Sequence, residues 1–354
     1  MTSHSPTFTL APQSETPIPR RPRWPLVVAV LAVIGAGLMI AAWNISLPYY
    51  AFSPGPVGDV IEAVSISEQE TFVPDEELLM LTVSSQGVNP IEALLAAFDP
   101  TVDLVARIAV RQPDESDEDF VARNQASMDL SKETAITVAL RELGYEVATR
   151  SEGVAVSDVA PETPAAGVLE VNDVITSVAG VEVELPGEIA PILANKSPGD
   201  VVSIELMRDG VARSVEVELA PRDGEPSSAI IGIGAAALNP TFEFPFPIEI
   251  DAGLVGGPSA GMMYTLAVIE VLTPGDLASG RIVAGTGTID EAGNIGAIGG
   301  IRQKVVAAEA AGADVMLVPA ANYDEAVTAP RDGMELIPVA NLSEALTALR
   351  ELPA

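Results

Sequence analysis

The sequence predicts an α+β fold behind one membrane-crossing helix, and three observations carry that expectation. Residues 26–42, LVVAVLAVIGAGLMIAA, run for seventeen positions without a charge between Trp24 and Trp43, just long enough to span ~30 Å of hydrocarbon with an aromatic anchor at each interface. Residues 145–221 break into short β-type segments (YEVATR, GVAVSDV, DVITSVAG, VVSIELMRDG, ARSVEVEL) separated by turn residues. On either side lie helical patterns, at 89–98 and 117–143 before the β-rich stretch and at 301–311 after it.

The ends of the chain differ in charge. Arg20, Arg21 and Arg23 precede the apolar run, while the whole chain carries a net charge of −32. By the positive-inside rule, residues 1–23 form a cytoplasmic tail, residues 24–43 cross the cell membrane, and the rest is extracytoplasmic. A cleaved signal peptide shares the basic flank and apolar core, but the run is long and MIAAW is a poor small-x-small cleavage site. The acidic bulk argues against nucleic acid as a partner, because phosphates would be repelled, and against docking of the globular part on anionic lipid.

Beyond the membrane, LPYYAFSPGPVGDV reads as an extended exit punctuated by Pro and Gly. ELLMLTVSS (77–85) reads as a buried strand, and NPIEALLAAF as a short helix with Asn89 at its N-cap and Pro90 in its first turn. The acidic PDESDED ahead of the 117–143 helix is a solvated, dipole-favoured helix start rather than a metal site.

Composition narrows the chemistry. His4 is the sole histidine and there is no cysteine, so a Ser-His-Asp triad, a Cys-His pair and a Cys/His zinc site are all excluded. No G-x-x-x-x-G-K-[ST] loop occurs, so no nucleotide cofactor is expected, and with no cluster of metal ligands no metal is expected either. Lys132, Lys196 and Lys304 are the only lysines.

Within the β-rich stretch, VAPETPAAGVLEVNDVITSVAGVEV places Pro164, Ala165, Ala166 and Gly167 ahead of Asn172-Asp173 and the turn residue Gly180. This pattern resembles the PDZ domain family. The resemblance implies binding of extended peptides by strand addition to a sheet edge, with a terminal carboxylate held on backbone N–H groups. Two stretches qualify for the carboxylate loop: the turn at Glu152 and Gly153, and IGIG at 231–234.

Residues 256–261, GGPSAG, and 282–322, IVAGTGTIDEAGNIGAIGGIRQKVVAAEAAGADVMLVPAAN, resemble the proteolytic domain of the Lon family, peptidases that use a Ser-Lys dyad. The resemblance implies that Ser259 is the nucleophile, Lys304 the base and Thr286 the residue that orients the lysine. Together with the apolar helix and the PDZ pattern, it is similar to the membrane-tethered Lon-like proteases of Gram-positive bacteria. Taken alone, Ser259 reads as a helix N-cap and Lys304 as a surface charge. Chemistry adds that a serine at a helix start has unpaired N–H groups and a positive dipole end beside it. Gly256 and Gly257 allow close approach. Lys304, among Val305, Val306, Ala307 and Ala308, would lose its charge readily if buried.

Gly256 stands where many ATP-dependent members carry an acidic residue, so that carboxylate's role is absent or passes to Asp251. The expected organisation is therefore a Lon-type proteolytic domain in two pieces, residues 57–143 and 230–354, with a PDZ domain inserted at 145–222. The expected function is ATP-independent serine endopeptidase action on extracytoplasmic protein or peptide substrates, with the PDZ domain recruiting or gating them. The competing reading is a non-catalytic, membrane-tethered PDZ scaffold. A homo-oligomer is compatible with either.

Overall fold

The computed structural model describes residues 24–74, 77–113, 115–222 and 224–352. The expected cytoplasmic tail, with Arg20, Arg21 and Arg23, lies outside the described residues.

Helix α1 (Trp24–Asn44) has no buried residue over Val27–Asn44, where its mean hydropathy is 2.2, and is the one helix among the described residues long and apolar enough to cross a membrane. The exit segment that follows is not a linker. Tyr49–Asp59 forms strand β1, so the sheet begins at Tyr49 rather than at 57. Its two prolines are tolerated because the pairing shifts between Pro54 and Val57, a bulge where missing N–H groups cost nothing.

Strands β2 (Glu77–Gly87) and β3 (Asp103–Ala106) pair antiparallel with β1 on either side. Between them lies helix α2 (Pro90–Ala96), whose Asn89 accepts from the Ile91 and Glu92 N–H groups while Glu92 accepts from the Asn89 N–H, a reciprocal cap. Helix α3 (Asp117–Glu142) follows, capped by Ser116 with three carboxylates in its first turn.

The chain then leaves for a second sheet. Strands β4 (Val154–Val159), β5 (Val174–Val178), β6 (Val201–Arg208), β7 (Val211–Glu218) and β8 (Ile233–Ala237) form an antiparallel sheet ordered β7-β6-β5-β4-β8. Alternating Val202, Ile204 and Leu206 point into its core with Val154, Ile175 and Val217, under the short helix α4 (Ile189–Leu193). Asp173 of the Asn-Asp pattern is buried and paired with the Arg208 guanidinium at 2.6 Å.

One boundary differs from expectation. The proteolytic domain was expected to resume at 230, yet Ile233–Ala237 pairs with Val154–Val159 and completes the second sheet. The pairing continues outward, with Glu152 and Gly153 hydrogen-bonded to Leu238 and then Ala148–Arg150 paired with Thr241–Glu243. A single antiparallel ribbon thus carries the chain out of the first domain and back.

Helix α5 (Gly261–Leu272), strand β9 (Ile282–Gly285), helix α6 (Ile301–Ala310), strands β10 (Val315–Pro319) and β11 (Glu335–Val339), and helix α7 (Leu342–Arg350) complete the first domain. Its six-stranded sheet is ordered β11-β10-β9-β2-β1-β3, parallel from β11 to β2 and antiparallel across β1. The period-two alternation of the strands decides the layers. Leu78, Val283, Val315 and Leu317 face one core with α3, α5 and α7, whereas Leu79, Ala284, Met316 and Val318 face a second core under α6. Helix α5 is buried on all sides and is correspondingly apolar, the exception being Glu270, whose buried carboxylate accepts from the Leu277 N–H at 3.0 Å.

Candidate active site

The two layers meet at the C-terminal end of β9. Ser259 arrives from the α5 side, Lys304 from the α6 side, and Thr286 directly follows the strand.

Ser259 lies in a single 3-10 turn, Pro258–Ala260, ahead of α5 rather than within the α-helix. The glycines before it are fitted to α3. A Cβ at Gly256 would stand 2.9 Å from the Asn124 Cβ, and Gly257, with φ +90°, donates its N–H to the Asn124 carbonyl at 2.8 Å. Ser131 of α3 donates to the Pro258 carbonyl at 3.1 Å. An acidic side chain at 256 has no room here. Asp251 does not take its place, since it lines a different cavity with Lys132 and Glu133 and accepts from the Gly253 N–H.

Lys304 is 2% exposed. Its Nζ lies 2.8 Å from Ser259 Oγ and 2.8 Å from Thr286 Oγ1, and none of the ion pairs among the described residues includes it. Burial without a countercharge penalises the ammonium and lowers its pKa to about 7. Thr286 is fully buried and donates to the Ser259 carbonyl at 3.0 Å, an oxygen that also accepts from the Gly287 N–H at 2.8 Å. At the start of α6, Asp103 of β3 accepts from Arg302 and, at 2.8 Å, from Gln303. The lysine thus follows directly on two anchored residues.

Ser259 and Lys304 open on a cleft of about 550 Å³ walled by Phe52, Thr82 and Val83 from β1 and β2, Asn124 from α3, and Leu254 and Gly299 from loops. Sequence reading identified none of these wall residues as part of the site. Each is ordinary in its local context, and only the packing of distant elements gathers them. Leu254, 96% exposed, is the one with a local signal, a bulky apolar side chain in a glycine loop.

In the second domain, a cavity of about 470 Å³ lies between the edge strand β8 and α4, lined by Ile231–Ala235 together with Ile189, Ala190 and Leu193. Of the two stretches open as carboxylate loops, 231–234 lines this cavity and Glu152–Gly153 does not. Gly232, with φ +88°, holds its turn against Thr163 where a Cβ would stand 2.5 Å away.

Comparison with known proteins agrees with both patterns. Residues 141–219 match the PDZ domain family and residues 248–351 the Lon protease (S16) C-terminal proteolytic domain. The chain is 34% identical to a Lon protease of Phenylobacterium zucineum over 164 residues, 44% of this chain and 20% of that protein. It is 26% identical to one of Citrifermentans bemidjiense over 296 residues, 79% of this chain and 34% of that protein. The chain therefore spans a fifth to a third of the length of these relatives. Solved PDZ domains of SdrC-like proteins from Listeria monocytogenes and Listeria innocua are 28% and 27% identical, each covering 24% of this chain, and 87% and 93% of their own, with a TM-score of 0.22. The chain carries a Lon-type C-terminal proteolytic domain with a PDZ domain inserted ahead of it, behind one apolar N-terminal helix.

Proposed function

We propose that the protein is a membrane-tethered, ATP-independent serine endopeptidase in which Ser259 is the nucleophile, Lys304 the general base and Thr286 the orienting residue. The observation that carries this reading is the buried Lys304 amine, with a pKa of about 7, standing 2.8 Å from Ser259 Oγ. At that pKa roughly half the amine is neutral near pH 7, against a trace for a free lysine at ~10.4.

In the proposed reaction the neutral Nζ takes the Ser259 hydroxyl proton as Oγ bonds to the scissile carbonyl carbon. The resulting oxyanion is received by backbone N–H groups at the turn ahead of α5, where the helix dipole adds positive potential. The Met262 N–H is already given to the Gly287 carbonyl and the Gly261 N–H to Pro258, so we assign the oxyanion to the N–H groups of Ser259 and Ala260. The Lys304 ammonium then protonates the leaving amine, the C–N bond breaks, and an acyl-enzyme remains. A water gives a proton to the regenerated amine as its oxygen bonds to the ester carbonyl carbon; the bond from that carbon to Oγ then breaks, the ammonium returns the proton to Oγ, and the acid leaves with Ser259 and the neutral amine restored.

We assign the cavity between β8 and α4 to the C-terminus of an extended peptide, with residues 231–234 as the carboxylate loop. Without a nucleotide-binding loop to power unfolding, the substrates are flexible or extended segments. The basic tail, the apolar α1 and the acidic remainder support an N-terminus in the cytoplasm and a catalytic domain outside it. The test is covalent labelling of the purified full chain with a fluorophosphonate probe. Labelling of the natural chain and none of Ser259→Ala is expected, and equal labelling of a folded Lys304→Ala variant would overturn the dyad.

A further inference from the structure

Helix α2 faces the wrong way for a soluble protein. Ile91, Leu94 and Leu95 of α2, with Phe98 in the turn that follows it, recur at the i, i+3, i+4, i+7 spacing that makes one apolar face of a helix. That face ordinarily covers a core, yet no residue of α2 is fully buried and only Ile91 of the face is half-buried. Leu94, Leu95 and Phe98 are 61%, 65% and 80% exposed, and Ile108, in the turn after β3, is 78% exposed.

The position of this face relative to α1 identifies what covers it. α1 ends at Asn44, and the segment just ahead of β1 is then tied to both apolar elements: the Leu47 N–H donates to the Val88 carbonyl, two residues ahead of α2, at 2.9 Å, and the Arg107 N–H donates to the Pro48 carbonyl at 2.9 Å. α2 also touches α1 directly. Only Ile45 and Ser46 lie between Asn44 and Leu47, so the chain reaches at most ~11 Å from one to the other. The headgroup layer on one side of a bilayer is ~5–8 Å thick, and an interfacial helix sinks its apolar face ~5–10 Å into the headgroup and acyl boundary. A helix fastened at that height with its apolar face outward stands within the interfacial layer.

We propose that the apolar face of α2, extended by Ile108, is embedded in the interfacial layer of the bilayer that α1 crosses, so that the proteolytic domain rests on the membrane surface. The inference depends on the reading of α1 as a membrane span. The attachment is apolar, as the strongly acidic charge of the chain requires, and its occupant is the phospholipid boundary itself.

The absence of cysteine makes the test direct. Single variants Leu95→Cys, Phe98→Cys, Leu38→Cys in α1 and Val211→Cys on β7 are each labelled with a polarity-sensitive fluorophore. The full chain is reconstituted in phosphatidylcholine nanodiscs with or without spin-labelled lipid. Expected is several-fold quenching at 95 and 98, as at 38, and none at 211. Quenching at 38 with positions 95 and 98 behaving like 211 overturns the inference and leaves the membrane reading standing. Positions 95 and 98 shielded from aqueous iodide yet unquenched by lipid would mean a protein covers the face, which also overturns it. No quenching at 38 removes the membrane reading, and this inference with it.

Discussion

Thr286 meets the Lys304 amine at 2.8 Å as an acceptor, because its single hydroxyl proton is committed to the Ser259 carbonyl at 3.0 Å. A neutral amine has two protons and one lone pair. With one proton directed at Thr286, the lone pair is left free to face Ser259 Oγ. Thr286→Val keeps the shape and removes the acceptor, so acylation by a serine-reactive probe should slow at least tenfold with the fold intact. Thr286→Ser should restore most of the rate. A fully active Thr286→Val enzyme would show that another group holds the amine.

Removing either member of the dyad should abolish peptide hydrolysis. Ser259→Ala and Lys304→Ala each delete a reacting atom, and Lys304→Arg supplies a group that cannot lose its proton at working pH. All three should retain the circular dichroism of the natural chain. Cleavage of a peptide substrate by a folded Lys304→Arg variant would count decisively against the lysine as base.

The pH dependence tests the same group twice. Activity should rise with pH through an apparent pKa near 7, as the Lys304 ammonium loses its proton. Stability should rise as well. Between about 7 and the unfolded value near 10.5, the unfolded chain binds the proton and the folded chain does not, so unfolding free energy increases with pH at up to ~1.4 kcal/mol per unit from this residue. Below 7 both states are protonated and the burial penalty is fully present. Lys304→Met should therefore be more stable than the natural chain near pH 6, with the difference shrinking toward pH 10. Parallel melting-temperature profiles for the two would show that the amine is solvated.

Hydrolysis of an unfolded model protein should be indifferent to added ATP, since the sequence has no phosphate-cradling loop, and to chelators, since no three His, Cys, Asp or Glu side chains among the described residues are grouped to hold a metal. A several-fold stimulation by ATP in a coupled peptidase assay would require a site of another kind.

Ala190 lies exposed on the wall of the cavity between β8 and α4. Ala190→Phe should fill it without touching the core. KM should then rise several-fold for substrates presenting a free C-terminus to this groove, with kcat unchanged and short unanchored peptides unaffected. An equal effect on both substrate types would point away from peptide capture.

What could be read from the sequence was what neighbours along the chain decide. The Asn89-Pro90 start of α2, the Ser116 cap and acidic first turn of α3, and the apolar strand at 77 are local signals, and each element formed there. Features set by distant partners were not legible. Residues 233–237 joined the PDZ sheet because Val154–Val159 offered an open edge. The exit at 49 became a strand because β2 and β3 flank it despite its prolines. Lys304 could be placed on a helix, but its approach to Ser259 depends on two helices packing against opposite faces of β9. The walls of the cleft, Asn124 above all, carry no signature because any residue with a free carbonyl would have served Gly257.

The ribbon joining the two domains has a consequence for how the chain folds. Arg150 and Thr241 are cross-strand partners, so their Cα atoms lie ~5 Å apart. The first domain's sheet draws strands from both sides of this point, and before anything forms, its halves are separated by a long flexible segment. If residues 151–240 fold first, they pin those two positions together and shrink the loop to be closed to hairpin size. By loop-closure entropy that saves on the order of 3 kcal/mol, and it lowers the effective sequence separation of the contacts that limit the folding rate. An insert that folds first would act as a nucleus for the domain it interrupts, and a destabilised insert should then slow assembly of the six-stranded sheet even with every residue of that sheet unchanged.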